Sequence, residues 1–214
     1  MKVVALVSNK GGSGKSTIAA HLAVCASLQE QTVAVLDLDP QANVASWGER
    51  RGRRGKDDVT VVRARVQEVP GLLTSAREQG ADFVIIDTAG RSDITAAQVM
   101  EAADIVLIPC RPSINDVEAS QLTASQVKKA RAKRAVFVLN AVPAHGTRHI
   151  EARDALADLL PVLPVEIHNY VAFSDALNDG RSVEELDPKG KAAQEIRALY
   201  RYLTQEQDAT GIHE

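Results

Sequence analysis

A glycine-rich loop that ends in lysine, serine and threonine is the segment with the clearest chemistry. It runs Asn9-Lys10-Gly11-Gly12-Ser13-Gly14-Lys15-Ser16-Thr17, between an apolar run and helix-like sequence. Glycines let successive backbone N–H groups turn into one concavity, and the following helix adds its positive dipole end. Lys15 would reach the β- and γ-phosphates, and the Ser16 hydroxyl would bind Mg²⁺. The predicted nucleotide-binding residues are Gly11, Gly12, Ser13, Gly14, Lys15, Ser16 and Thr17.

The loop departs at one position from the strict pattern G-x-x-x-x-G-K-[ST]. Asn9 stands where that pattern has its first glycine. The dinucleotide fingerprint G-x-G-x-x-G fits worse, because its third glycine would fall on Thr17. The order strand, loop and helix therefore favours a phosphate loop of unusual type.

Three aspartates follow apolar runs and are candidates for metal and water chemistry. Asp37 and Asp39 follow the run that starts at Val33, and Asp87 follows the run Phe83–Ile86. Ligands of open α/β sheets bind at the carboxyl ends of strands, where these carboxylates would lie. Asp87 is the candidate Mg²⁺ ligand, usually through water. Capping of the next helix is the alternative role for each acid.

Apolar runs alternate with amphipathic stretches along nearly the whole chain. The runs are Val3–Val7, Val33–Leu36, Val59–Val62, Phe83–Ile86, Ile105–Ile108, Val136–Leu139 and, more weakly, Val162–Ile167. The helix-like segments are residues 15–29, 41–50, 68–79, 94–102, 115–132, 148–160 and 188–206. This alternation predicts a single α/β domain of the P-loop NTPase kind over 1–214. Its mainly parallel, twisted sheet would carry helices on both faces. Residues 50–58 are expected to form a mobile basic loop and 207–214 a frayed tail.

Composition excludes several other classes. The chain has 214 residues, a formal charge of −3 and 45% hydrophobic residues, which is ordinary for a folded domain. Its two cysteines, Cys25 and Cys110, exclude a disulfide framework or a four-thiolate metal cluster within one chain. No apolar run reaches ~18 residues, the length of a transmembrane helix. The N-terminus lacks the features of a signal peptide, so the cytoplasm is the expected compartment.

The order K-G-G-x-G-K-[ST] resembles the deviant Walker A box of the ParA/MinD family of P-loop ATPases. The resemblance implies ATP and Mg²⁺ as cofactors and Lys10 as the signature lysine, which reaches the partner's phosphates across a nucleotide-sandwich dimer. It further implies that Asp39 activates the attacking water, with Asp37 near the metal shell. Asn140 stands where the family reads the adenine edge, although capping of a turn is the alternative. His168 is interpreted as structural.

The strings DLDPQANVASW, VIIDTAG and FSDALNDGRSVEELDPKGKAAQEI are similar to small ParA plasmid-partition ATPases of the ParF type. That resemblance implies an ATP-dependent homodimer, non-specific binding of double-stranded DNA and nucleoid association. It also implies a small ParB-like or ribbon-helix-helix adaptor that stimulates hydrolysis. Larger relatives carry an N-terminal helix-turn-helix region, which we do not expect here. The acidic, weakly apolar C-terminal sequence predicts no membrane partner.

Two basic clusters are candidate DNA contacts. One consists of Lys128, Lys129, Arg131, Lys133 and Arg134, and the other lies within Arg50–Lys56. Neutralising DNA phosphates with counterion release needs no base contacts, which suits non-specific binding. Solvated charge or pairing with a helix dipole is the alternative for each cluster.

Three other functions compete with DNA partition. A polymer-forming scaffold would use the same ATP box, and a MinD-like ATPase would differ only in its cargo and adaptor. A P-loop metabolic enzyme, such as a biotin-pathway ligase, lacks the signature lysine and needs a small-molecule pocket for which no residue set is evident.

Overall fold

The structure is a computed structural model that describes residues 1–90 and 95–205. A seven-stranded parallel sheet forms the centre of this part of the chain. The strands are β1 (Lys2–Leu6), β2 (Val33–Asp37), β3 (Val59–Arg63), β4 (Phe83–Asp87), β5 (Ile105–Cys110), β6 (Ala135–Val142) and β7 (Val162–His168). Their spatial order is β3-β2-β4-β1-β5-β6-β7. Since every pairing is parallel, the carboxyl ends of all these strands lie at one edge of the sheet.

Helices cover both faces of the sheet. They are α1 (Lys15–Ser27), α2 (Asn43–Arg53), α3 (Val69–Glu78), α4 (Thr95–Ala102), α5 (Ile114–Lys129), α6 (Arg148–Ala157), α7 (Val171–Asn178), α8 (Val183–Leu186) and α9 (Lys191–Thr204). A short 3₁₀ helix, Val66–Glu68, precedes α3. None of the helices in residues 1–90 and 95–205 has the length and apolar character needed to cross a bilayer.

Alternate residues of each strand enter two separate apolar layers. Val4 and Leu6 of β1 join the layer that holds α1 and α9, whereas Val3 and Ala5 join the layer under α3 and α5. Helix α1 is buried continuously from Ile18 to Ala26, which explains why its apolar residues do not form a single stripe. The phosphate loop is therefore fixed at both ends by buried elements.

The predicted α/β fold is confirmed, and each predicted apolar run is a strand. The helices α7 and α8 were not predicted, because their apolar positions fall in two short segments separated by Gly180. The expected loop over 50–58 is wrong in its first part, because α2 continues to Arg53. The tail expected over 207–214 lies outside the described residues.

Buried Arg51 explains why the helix continues into this basic segment. Its guanidinium is 2% exposed and binds Asp58 at 2.6 Å and Glu185 at 2.7 Å. It also lies 5.6 Å from the centre of the Trp47 ring. A charge can be buried at this site because these partners satisfy its donors. Arg51 is therefore unavailable as a surface cation for DNA.

Candidate nucleotide-binding site

Neighbouring strands bring the predicted site residues to the carboxyl edge of the sheet. β1 leads into the phosphate loop, β2 ends near Asp37 and Asp39, β4 ends at Asp87, and β6 carries Asn140. A cleft of about 1180 Å³ opens there and is lined by Lys10, Lys15, Asp39 and Asn140. The sequence thus predicted a set of side chains that the fold brings together.

The phosphate loop depends on glycine at Gly14, which caps α1 in the left-handed conformation with φ 97°. A Cβ atom at this position would lie 2.0 Å from Nδ2 of Asn140. Any side chain would therefore meet both backbone strain and a clash. Gly12 also has a positive φ, 72°, so the loop turns through two left-handed residues before the helix begins.

Lys15 is a buried cation, 5% exposed, at the first position of α1. Burial lowers the pKa of its ammonium, and the nearby carboxylates of Asp87 and Asp39 act in the opposite direction. A cation with so little water around it gains strongly from an anionic ligand. Its position supports the predicted contact with nucleotide phosphates.

Ser16 and Asp87 form the candidate metal site. The Ser16 hydroxyl donates to Oδ2 of Asp87 at 2.6 Å. The other oxygen, Oδ1, is buried and has no hydrogen-bond partner among residues 1–90 and 95–205. Burial raises the pKa of Asp87 to about 7, with the Ser16 hydrogen bond opposing the shift. A divalent cation would stabilise this carboxylate, and a hydroxyl beside a carboxylate suits Mg²⁺, so these residues fit the metal.

Asp37 and Asp39 both accept hydrogen bonds from backbone N–H groups, but only Asp37 accepts from α2, as the capping alternative predicts. Asp37 is buried and accepts from the N–H of Asp39 at 3.0 Å and from that of Ala45 at 2.8 Å. These bonds shape the turn from β2 into α2. Its Cα lies opposite that of Asp87 in the paired strands, so a place near the metal shell stays a prediction.

Asp39 is half-buried and lines the cleft near Lys15. Its Oδ1 accepts from the N–H of Gln41 at 2.9 Å, which fixes the carboxylate on the turn. The residue is thus positioned next to the phosphate site, and its action on water stays a prediction.

Lys10 and Gly11 lie on the exposed side of the loop. The Lys10 side chain forms no ion pair with the described residues. A Cβ atom on Gly11 would have no neighbour within 4 Å. This surface is open in a single chain, as a contact with a second subunit would require.

Asn140 supports the phosphate loop. Its Nδ2 donates to the carbonyl of Ser13 at 2.7 Å, and the residue is 8% exposed. One amide donor is therefore already used, and contact with adenine stays a prediction. The Nδ1 atom of His168 lies 2.8 Å from Oε1 of Glu195, and its structural role stays a prediction. It nevertheless lines the same cleft.

The cleft also contains Arg111, a cation that sequence reasoning missed. It follows β5 directly and lines the cleft beside Gly12. Its position just after a predicted strand was the available signal. That signal was insufficient because nothing in the sequence places β5 next to β1.

The cluster Lys128, Lys129, Arg131, Lys133 and Arg134 spans the end of α5 and the connection to β6, at the amino edge of the sheet. It is therefore on the opposite side from the nucleotide cleft. Lys128, Lys129 and Arg131 are exposed, while Lys133 pairs with Asp104 at 2.8 Å. The structure thus leaves part of this cluster accessible to an anionic partner.

Cys25 and Cys110 are buried, and burial raises their thiol pKa values to about 12 and about 11.

Loop, carboxylates and parallel sheet together define a P-loop nucleotide-binding domain. A family model described as the CobQ/CobB/MinD/ParA nucleotide binding domain matches residues 4–183. The chain belongs to this family, as its phosphate loop predicted.

Proteins of known sequence or structure resemble this chain over most of its length. The chain is 32% identical to maintenance of carboxysome distribution protein A from Gloeobacter kilaueensis, over 97% of this chain and 94% of that protein. It is 28% identical to protein IncC from Escherichia coli, over 95% of this chain and 69% of that protein. The septum site-determining protein MinD of Pyrococcus horikoshii, solved with Mg-ADP, has the same fold. Its TM-score is 0.79 at 20% identity, covering 95% of this chain and 96% of that one.

Proposed function

We propose that this protein is a Mg²⁺-dependent ATPase whose ATP-bound dimer binds DNA without sequence preference and partitions a cargo along it. The observation that carries the proposal is the exposed Lys10–Gly11 surface beside the buried Lys15 and Asp87 and the half-buried Ser16. Lys15 lies inside the cleft, whereas Lys10 is available to a second molecule.

Each residue has a separate task in this scheme. Ser16 and Asp87 would hold Mg²⁺, which when bound would offset the charge of the phosphates. Lys15 binds the phosphates of its own subunit, and Asp39 orients the attacking water. Lys10 of each subunit stabilises charge on the partner's phosphates, a task for which an arginine finger supplies roughly 10³–10⁵ in rate. Hydrolysis then weakens the contact of Lys10 with the partner's phosphates, so the subunits separate.

DNA binding is assigned to the cluster at the amino edge of the sheet, chiefly Lys128, Lys129 and Arg131. Dimer formation would double the number of these cations on one particle, so affinity for DNA would depend on the nucleotide. A small ParB-like or ribbon-helix-helix adaptor would link the dimer to its cargo and stimulate hydrolysis. The protein would then act in the cytoplasm, associated with the nucleoid.

The cargo has two candidates. Plasmid or chromosomal DNA is favoured by the resemblance to small partition ATPases and by the similarity to IncC. A protein-based cargo is the second candidate, because two relatives, 32% and 28% identical, are maintenance of carboxysome distribution proteins. Both cargoes use the same ATP switch and differ in the adaptor.

Molecular mass in solution tests the switch. We would measure it without nucleotide, with ADP, and with a slowly hydrolysed ATP analogue plus Mg²⁺, for wild type, Lys10→Ala and Lys15→Ala. We expect wild type to dimerise only with the ATP analogue plus Mg²⁺, and not without nucleotide or with ADP. Lys10→Ala should still bind nucleotide but should not form this dimer. Lys15→Ala should not bind nucleotide. An unchanged mass in wild type would contradict the dimer switch, and large particles seen by light scattering would favour the polymer alternative.

A further inference from the structure

Arg111 is a third cation at the phosphate loop. It comes directly after β5, the strand that pairs with β1, and β1 leads into the loop. Its Nη2 atom lies 3.5 Å from the position that a Cβ atom would occupy on Gly12. The guanidinium is thus in contact range of the middle of the phosphate loop.

The surroundings of Arg111 leave its charge available. The side chain is exposed and forms no ion pair with any residue in the described part of the chain. It shares the cleft with Lys10, Lys15 and Asn140. Gly12, with φ 72°, has no side chain that could separate the guanidinium from the loop backbone. An unpaired guanidinium beside a glycine-rich phosphate loop is suited to a phosphate, which it can bind through two parallel hydrogen bonds.

From this geometry we infer that Arg111 is a phosphate-binding residue that contacts the α- or β-phosphate of the nucleotide in its own subunit. The inference rests on the proposed nucleotide binding and adds a residue to it. The backbone N–H groups of a phosphate loop surround the α- and β-phosphates, and Arg111 lies against the middle of that loop. Arg111 therefore acts on ADP as well as ATP, and it acts without a second subunit.

The test compares Arg111→Ala with the matched control Arg63→Ala. Arg63 also ends a strand of the sheet, β3, and is exposed, but β2 and β4 separate it from β1 and it does not line the cleft. ADP affinity is measured by calorimetry with Mg²⁺, at concentrations where the protein is a monomer by mass. We expect Arg111→Ala to raise the Kd for ADP about 10-fold or more, as loss of a charged hydrogen bond predicts. Arg63→Ala should stay within about 2-fold, the change expected of an exposed charge away from the ligand.

Two further variants identify the cause. Arg111→Lys keeps the charge and loses the planar fork, so its affinity should lie between wild type and Arg111→Ala. Arg111→Glu should bind more weakly than Arg111→Ala. Wild-type affinity for ADP in Arg111→Ala would overturn the inference, and so would a loss confined to the ATP-bound dimer, which would assign Arg111 to the partner's nucleotide. Failure of wild type to bind nucleotide, or unchanged binding in Lys15→Ala, would instead contradict the proposed function.

Discussion

A Cβ atom on Gly90 would lie 2.9 Å from the Cα of Gly11, so the turn after β4 packs directly against the backbone of the phosphate loop. Gly11 itself has open space at its own Cβ position. Two glycines in contact therefore have opposite surroundings. One is enclosed by its own chain, and the other faces outward.

This contrast predicts different defects for Gly90→Ala and Gly11→Val. Gly90→Ala must displace the loop, since its neighbour is backbone and not a flexible side chain, and should weaken ADP binding about 10-fold through overpacking. Gly11→Val should leave ADP binding by the monomer nearly unchanged and prevent the ATP-dependent dimer. Calorimetry with ADP and mass measurement with the ATP analogue separate the two. Equal loss of ADP affinity in both variants would contradict the outward position of Gly11.

Removing the Asn140 amide should loosen the phosphate loop. In Asn140→Ala the carbonyl of Ser13 loses its 2.7 Å hydrogen bond, at a cost of about 1–3 kcal/mol for a buried group left unpaired. We expect ATP and GTP affinity to fall together, by about 10-fold. Asn140→Asp should be worse, because a carboxylate would face that carbonyl. A larger loss for ATP than for GTP would support the predicted adenine contact, and wild-type affinity for both would contradict the supporting role.

Asp39 should affect turnover far more than binding. We expect Asp39→Ala to reduce the rate of ATP hydrolysis about 10²-fold or more, which is the lower end of the range of rate effects for a group that positions or activates water. The ATP-bound dimer should therefore accumulate. Asp39→Asn is the matched control, because its amide oxygen can still accept from the N–H of Gln41. Slow turnover in both variants, measured by phosphate release, assigns the effect to the charge. Normal turnover in Asp39→Asn would limit Asp39 to shaping the turn.

The sequence predicted the sheet and the cleft because both depend on local signals. Buried parallel strands form continuous apolar runs, and the phosphate loop and Asp87 follow such runs directly. What it could not predict depends on distant partners. Arg51 belongs to a basic stretch that suggests an exposed surface, but it is buried because Asp58 and the distant Glu185, 134 residues later, bind its guanidinium. Arg111 reaches Gly12 only because β5 pairs with β1.

His21 predicts a specific loss of stability in acid. The residue is 0% exposed on α1, its Nδ1 accepts from the N–H of Val183 at 3.2 Å, and its Nε2 lies 3.3 Å from the carbonyl of Phe173. A neutral ring with the proton on Nε2 satisfies both contacts. Burial lowers the pKa of His21 to about 4, from 6.5.

Because the folded pKa is the lower one, the unfolded chain binds the extra proton first as the pH falls. The contribution of His21 is therefore complete above pH 6.5 and is lost progressively down to about pH 4, by about 3 kcal/mol in all. Urea unfolding at pH values between 4.5 and 7.5 measures the slope. The glutamine of His21→Gln offers an acceptor and a donor but does not titrate. The slope of its free energy of unfolding against pH should therefore be smaller than that of wild type, by the equivalent of up to one bound proton. Equal slopes for the two proteins would show that His21 is already protonated in the folded state or stays accessible to water.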